Sequence, residues 1–117
     1  MINFSLSSEA GQDVAVLMPK GYLTDTGARQ LEQTIEQFLD KGFRKLIIDF
    51  SDIEFINTIG ISIFSGILQK TSECGCRVCF TNMDKLHHEV FEMTGIMKYV
   101  QVCEDEEDAI QYLQATL

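Results

Sequence analysis

No apolar run in this chain approaches the roughly 18 residues that a membrane-spanning helix needs, so direct membrane insertion is not expected. Cations are scarce: nine lysines and arginines stand against 18 aspartates and glutamates, for a net charge of −9. A phosphate backbone is gripped by clustered Lys and Arg, which excludes nucleic acid as the partner. The balance suits a protein partner instead, particularly a basic one. The stretch MINFSLSSEA has no basic-then-apolar layout of a signal peptide, which makes the cytoplasm the expected location. In that reducing compartment the four cysteines are not expected to form disulfides. Repeats, linkers, low-complexity tracts and a Gly-rich phosphate loop are all missing. What remains is 117 residues with 45% apolar content, enough for one globular domain over 1–117 and too apolar for a disordered chain.

Periodicity orders the elements. Ile2, Phe4 and Leu6 alternate with polar residues as in a half-exposed strand, and Val14 to Met18 reads as a buried one. Gly11-Gln12-Asp13 is the expected turn between them, making a hairpin. Pro19, the one proline, cannot donate to a ladder and stops the second strand, and Gly21 loosens the turn after it. Asp25 or Thr26 is positioned to cap a helix whose apolar face is Ala28, Leu31, Ile35, Phe38 and Leu39, with Lys41-Gly42 as its stop. Leu46 to Phe50 is a buried strand, and a helix follows over about 59–71. Cys74-Gly75 turns the chain into a strand at Val78–Thr81. Asp84 can cap a third helix with Leu86, Val90 and Met93 on one face, ended by Gly95. Tyr99 to Val102 is the last expected strand. Glu104 to Asp108 then open a helix with apolar Ala109, Ile110 and Leu113, five acids facing the positive end of the macrodipole. Strands alternating with helices imply right-handed crossovers and a mainly parallel sheet with an antiparallel N-terminal edge.

The stretch 46–66, LIIDFSDIEFINTIGISIFSG, is the most informative. Phe55 and Ile56 are expected to re-enter the core. From Gly60, the residues Ile63, Phe64, Ile67 and Leu68 follow helical offsets. Thr58 therefore lies at or next to a helix N-terminus, among unpaired backbone N–H groups. Either Thr58 or Asn57 can act as the cap, or the Thr58 hydroxyl can carry a phosphate that those groups would welcome.

Other chemistry is thin. Cys74, Cys76 and Cys79 form a C-x-C-x2-C cluster without a fourth ligand or paired C-x2-C spacing, so no metal is assigned. His87 and His88 are adjacent and point about 100° apart on a helix, so they are not an i,i+4 ligand pair. Asp49 or Asp52 could be read as the acceptor of a phosphorelay receiver. Such a domain needs an acidic pair after its first strand, where this chain has Pro19-Lys20-Gly21. No enzymatic activity and no cofactor are expected.

Asp49-x-Ser51, Ile53-x-Phe55-Ile56, a small polar pair, Gly60 and an apolar helix together resemble the STAS domain, the family of the bacterial anti-sigma-factor antagonists. Gly21-Tyr22-Leu23-Thr24 stands where that family has a Gly-Glu-Leu-Asp-like turn, and Thr94-Gly95-Ile96 matches its corner before the last strand. The resemblance spans nearly the whole chain. It implies a single α/β domain with a four- to five-stranded mixed sheet, an N-terminal antiparallel hairpin and about four helices, mainly against one face.

The resemblance also implies a role. The family's loop typically reads Asp-Ser-Ser-Gly or Asp-Ser-Thr-Gly, and its first hydroxyl residue accepts a phosphoryl group from a partner kinase that is also the anti-sigma factor. That position is Thr58. Here the motif is Asn57-Thr58-Ile59-Gly60, and the earlier Asp is replaced by Thr24, followed by Asp25. The implied function is antagonism of an anti-sigma serine/threonine kinase, bound through the Thr58 loop and the helix after it, with phosphorylation weakening the complex. ATP and Mg²⁺ belong to the kinase. Thr24, Asp25, Asn57, Ile59, Gly60 and Ile61 are the implied partner-binding residues. Ile59 is expected to enlarge an apolar patch with Ile61 or Ile56, unless it packs inward beside a plain helix cap. The alternative is a binding or scaffold module of the same fold without a working phosphoswitch, in another signalling or transport-associated complex.

Overall fold

Side-chain alternation along the buried strands decides how this chain is layered. The computed structural model describes residues 2–9 and 12–115, with side chains from 14 to 115. Its five-stranded sheet runs in the order β1 (Ile2–Glu9), β2 (Gln12–Pro19), β4 (Lys45–Asp49), β6 (Arg77–Thr81), β7 (Gln101–Val102). The β1–β2 pairing is antiparallel, and the three pairings from β2 to β7 are parallel. The expected turn at Gly11-Gln12-Asp13 lies partly outside the described residues.

Successive side chains in a strand point to opposite faces, and both faces here are apolar. Ala15, Leu17, Leu46, Ile48, Val78 and Phe80 face one core, and Val14, Val16, Ile47 and Cys79 face the other. Helices α1 (Asp25–Asp40) and α2 (Thr58–Glu73) cover the first face with Ala28, Leu31, Ile35 and Phe38 and with Phe64, Ile67 and Leu68. Phe50, Phe64, Phe80 and Phe91 meet there, ring centroids 4.8–6.1 Å apart. Each such ring, fully buried, contributes roughly 1.5–3 kcal/mol of burial free energy. One helix, α4 (Glu106–Ala115), covers the second face with Ala109, Ile110 and Leu113.

Several expectations need correcting. Neither Asp25 nor Thr26 caps α1; Thr24 occupies the cap position and its side chain makes no capping bond. Gly21 opens a short strand, β3 (Gly21–Leu23), which pairs in parallel with β5 (Ile53–Ile56) in a separate two-stranded ribbon. Phe55 does not re-enter the core: Ile53 and Ile56 turn inward from β5, while Phe55 faces out beside its register partner Tyr22. In α3 (Lys85–Thr94), Phe91 is the buried residue, while Leu86 and Met93 face out. The Asp84 cap, whose Oδ1 accepts from the His87 N–H at 2.8 Å, fixes where that helix starts. The Phe cluster then selects its phase: one large ring among three others outweighs an aliphatic stripe. After the left-handed Gly95 (φ 78°), Ile96–Tyr99 curl into a 3-10 helix, which shortens the last strand to Gln101–Val102.

Candidate functional site

The strand-to-helix stretch is built from local hydrogen bonds. Asp49, buried at the end of β4, accepts from the Ser51 N–H at 2.8 Å and the Ser51 hydroxyl at 2.7 Å, turning the chain. The Ile53 N–H donates back to the Phe50 carbonyl at 3.1 Å, and the Gly21 N–H donates to the Asp52 carbonyl at 2.9 Å, fastening the ribbon. Leu23 pairs with Ile56, so β5 delivers Asn57 directly to the start of α2.

Asn57 is the cap. Its Oδ1 accepts from the Gly60 N–H at 2.7 Å, and its carbonyl accepts the first helical bond, from the Ile61 N–H at 2.9 Å. Thr58 is the first residue of the helix and is exposed. Among the described residues its hydroxyl makes no hydrogen bond. Gly60 is buried because the β3 backbone lies against it: a Cβ there would overlap the Leu23 carbonyl. Gly27, in the first turn of α1, meets the Tyr22 carbonyl in the same way. The ribbon is thus wedged against the N-termini of both helices.

Burial separates the expected partner-binding residues. Asp25, Thr58 and Ile59 are exposed, Thr24 and Asn57 are half-buried, and Gly60 is buried. Ile59 is 56% exposed, so the inward packing is overturned. Ile61 and Ile56 pack against the core and are not its surface partners. The exposed apolar neighbours that sequence reasoning missed are Tyr22 and Phe55, 64% and 51% exposed. They are register partners on β3 and β5, with rings in T-shaped contact at 5.9 Å. The sequence signal was Tyr22 beside inward Leu23 on a short alternating segment. Asp25, Asp52 and Glu54 are exposed acids on the same ribbon and helix start, and the first turn of α2 carries no charged residue. This end therefore offers an apolar surface fringed by negative charge, with a hydroxyl at a helix N-terminus.

The three thiols of the C-x-C-x2-C run do not converge, although Cys79 meets Cys103 from the end of the sheet. Cys74 is exposed at the end of α2, Cys76 sits in the core under α1 and α2, and Cys79 lies under α4. Burial pushes the Cys76 and Cys79 thiols up to about 12, and also raises Cys103, so these thiols resist forming the thiolate a metal requires. Among the described residues no group of three or more His, Cys, Asp or Glu side chains is placed to hold a metal ion. His87 and His88 are engaged on their own helix, with Asp84 at 3.3 Å and Glu92 at 2.6 Å. Among the described residues no helix is long and apolar enough to cross a membrane.

A family model described as the STAS domain matches residues 5–109. A Thermotoga neapolitana protein, provisionally named as an anti-sigma factor antagonist, is 24% identical over 104 residues, covering 88% of this chain and 92% of that one. The anti-sigma factor antagonist SpoIIAA shares the fold in its unphosphorylated form, with a TM-score of 0.71 at 18% identity over 96% of this chain and 98% of that one. The phosphorylated form of this Bacillus cell fate determinant matches with a TM-score of 0.68 at 20% identity, over 95% and 99%. The murine anion transporter Slc26a9 contains a similar unit, with a TM-score of 0.72 at 17% identity, covering 88% of this chain and 18% of the transporter.

Proposed function

Since the chain belongs to the STAS domain family, we propose that it is an anti-sigma-factor antagonist that works by partner switching, with Thr58 as the phosphoacceptor. In this reading the Tyr22–Phe55 pair, Ile59 and the exposed face of α2 dock on an anti-sigma serine/threonine kinase and displace its sigma factor. Within the complex the Thr58 hydroxyl oxygen takes the γ-phosphoryl group of ATP. Its proton leaves to a base of the kinase, and ADP departs. The phosphate adds close to two negative charges to a surface already fringed with acids. Docking then costs desolvation of that charge and repulsion from any acidic group opposite, and the complex dissociates.

One observation carries the reading. Asn57, not Thr58, performs the capping, which leaves an exposed hydroxyl at the first helical position. A phosphate there would meet the N–H groups and positive dipole end of α2, so this chain tolerates the modification even as the complex does not. Asn57 in place of the family's acid removes a negative neighbour of that phosphate.

The test is incubation with candidate cognate kinases and ATP, following intact mass, with Thr58→Ala as control. One phosphoryl group is expected on the native chain and none on the variant; a kinase that binds the protein without phosphorylating it would sink the switch. Thr58→Glu is expected to weaken the complex by about tenfold or more, and unchanged affinity would remove charge repulsion as the mechanism. The second reading, a binding or scaffold module without a switch, draws support from the exposed Ile59 where the family has a hydroxyl. The fold shared with part of an anion transporter also favours it.

A further inference from the structure

The two edges of the five-stranded sheet are protected unequally. At one, β7 is two residues long, and the acids Glu104 to Asp108 follow it directly after Cys103. An edge that short, beside so much like charge, is a poor template for another chain. At the other, β1 runs for eight residues in antiparallel register with β2. Among the described residues no strand pairs with its outer side. An edge of that length is ordinarily guarded by a lysine, a proline or a bulge. Here the register is unbroken, and Ile2–Ser8 hold no proline and no charge in a chain that is 23% charged. The one charged residue of β1, Glu9, stands at its end. Backbone N–H and C=O groups of β1 therefore face outward in an unpaired row.

The order of residues in β1 also fits itself. A strand meets a copy of itself in antiparallel pairing about a twofold axis, and here that axis passes through Ser5. Phe4 then stands opposite the second copy's Leu6, and Asn3 opposite the second copy's Ser7, so apolar positions meet apolar and polar meet polar. By register Phe4 and Leu6 neighbour Leu17 and Ala15, which face the core under α1 and α2. The apolar layer thus continues across the seam on one face of the sheet. The two Glu9 positions fall at opposite ends of the seam. We propose that β1 is a homodimer interface, at which two copies of this chain join their sheets into one of ten strands. Antiparallel pairing keeps the α1 and α2 layers on the same side and points the two Thr58 ends in opposite directions. Each copy then docks its own partner, and the dimer does not depend on the switch. A net charge of −9 on each copy opposes association, and one strand pair is a small interface. The dimer is therefore weak, with a dissociation constant on the order of 10–100 μM, and it tightens as added salt screens the repulsion.

The test is sedimentation equilibrium of the full chain across concentrations bracketing that constant, with amide hydrogen exchange at both extremes. The mass is expected to rise from one protomer toward two, and outward amides of β1 to exchange more slowly in the concentrated sample. Ser5→Lys sets two ammonium groups side by side on the axis and is expected to weaken association by about tenfold or more. Asn3→Lys combined with Ser7→Glu sets opposite charges across the seam twice and is expected to associate at least as tightly as the native chain. If Ser5→Lys disturbs the fold, exchange in the native chain decides alone. Three outcomes would overturn the proposal. They are a single-protomer mass throughout, a dimer whose β1 exchange does not change with concentration, and a well-folded Ser5→Lys chain that associates as tightly as the native one.

Discussion

Helices α1 and α2 begin in the same way and differ in one respect. Thr24-Asp25-Thr26-Gly27 and Asn57-Thr58-Ile59-Gly60 each place a residue at the cap position, then two exposed residues, then a glycine on a β3 carbonyl. The cap carbonyl accepts the first helical bond in both, at 2.8 Å from the Ala28 N–H and 2.9 Å from the Ile61 N–H. Only Asn57 adds a side-chain bond. The contrast separates what the architecture requires from what tunes it: the glycine is required at both starts, and the cap is an addition at one. It also gives Thr58 a counterpart. Asp25 holds a carboxylate at the first position of α1, where negative charge opposes the positive end of the dipole, and a phosphorylated Thr58 would stand at the corresponding position of α2.

Four substitutions probe the comparison, in falling order of effect. Gly60→Ala forces a methyl onto the Leu23 carbonyl, a backbone atom held by the ribbon, and is expected to cost about 3 kcal/mol in urea unfolding. A cost near zero would mean β3 is not wedged against α2. Gly27→Ala meets the Tyr22 carbonyl with a less severe overlap. Alanine's better helix propensity offsets part of the strain, so about 1–2 kcal/mol is expected. Asn57→Ala deletes the capping bond for about 1 kcal/mol. Thr24→Ala removes no capping bond and is expected to stay within about 0.5 kcal/mol of the native chain. Equal losses at positions 57 and 24 would erase the asymmetry.

The family motif and the strand-to-helix loop were legible because they rest on contiguous residues: the apolar run 46–50, the small polar pair and Gly60. The helix stops at Lys41-Gly42 and Cys74-Gly75 were legible for the same local reason, Gly42 and Gly75 having φ of 95° and 75°. Phe55 was not. A four-residue strand has too few alternations to reveal its inward side, and only the pairing of Tyr22 with Phe55 places both rings outside. The phase of α3 was hidden because Leu86, Val90 and Met93 form a valid helical stripe; what buries Phe91 instead is a cluster of rings distant in sequence. Gly27 carries no signal in its own segment, since the Tyr22 carbonyl that requires it lies on β3.

The outward placement of Tyr22 has an optical consequence. The chain has no tryptophan and three tyrosines. Tyr22 stands at the Thr58 end, and Tyr99 and Tyr112 stand beside Arg77 at the other. A tryptophan-bearing protein docking on the ribbon would drain Tyr22 emission by energy transfer and leave the other two bright. The unlabelled protein therefore reports, in its own ultraviolet emission, whether the ribbon end is occupied.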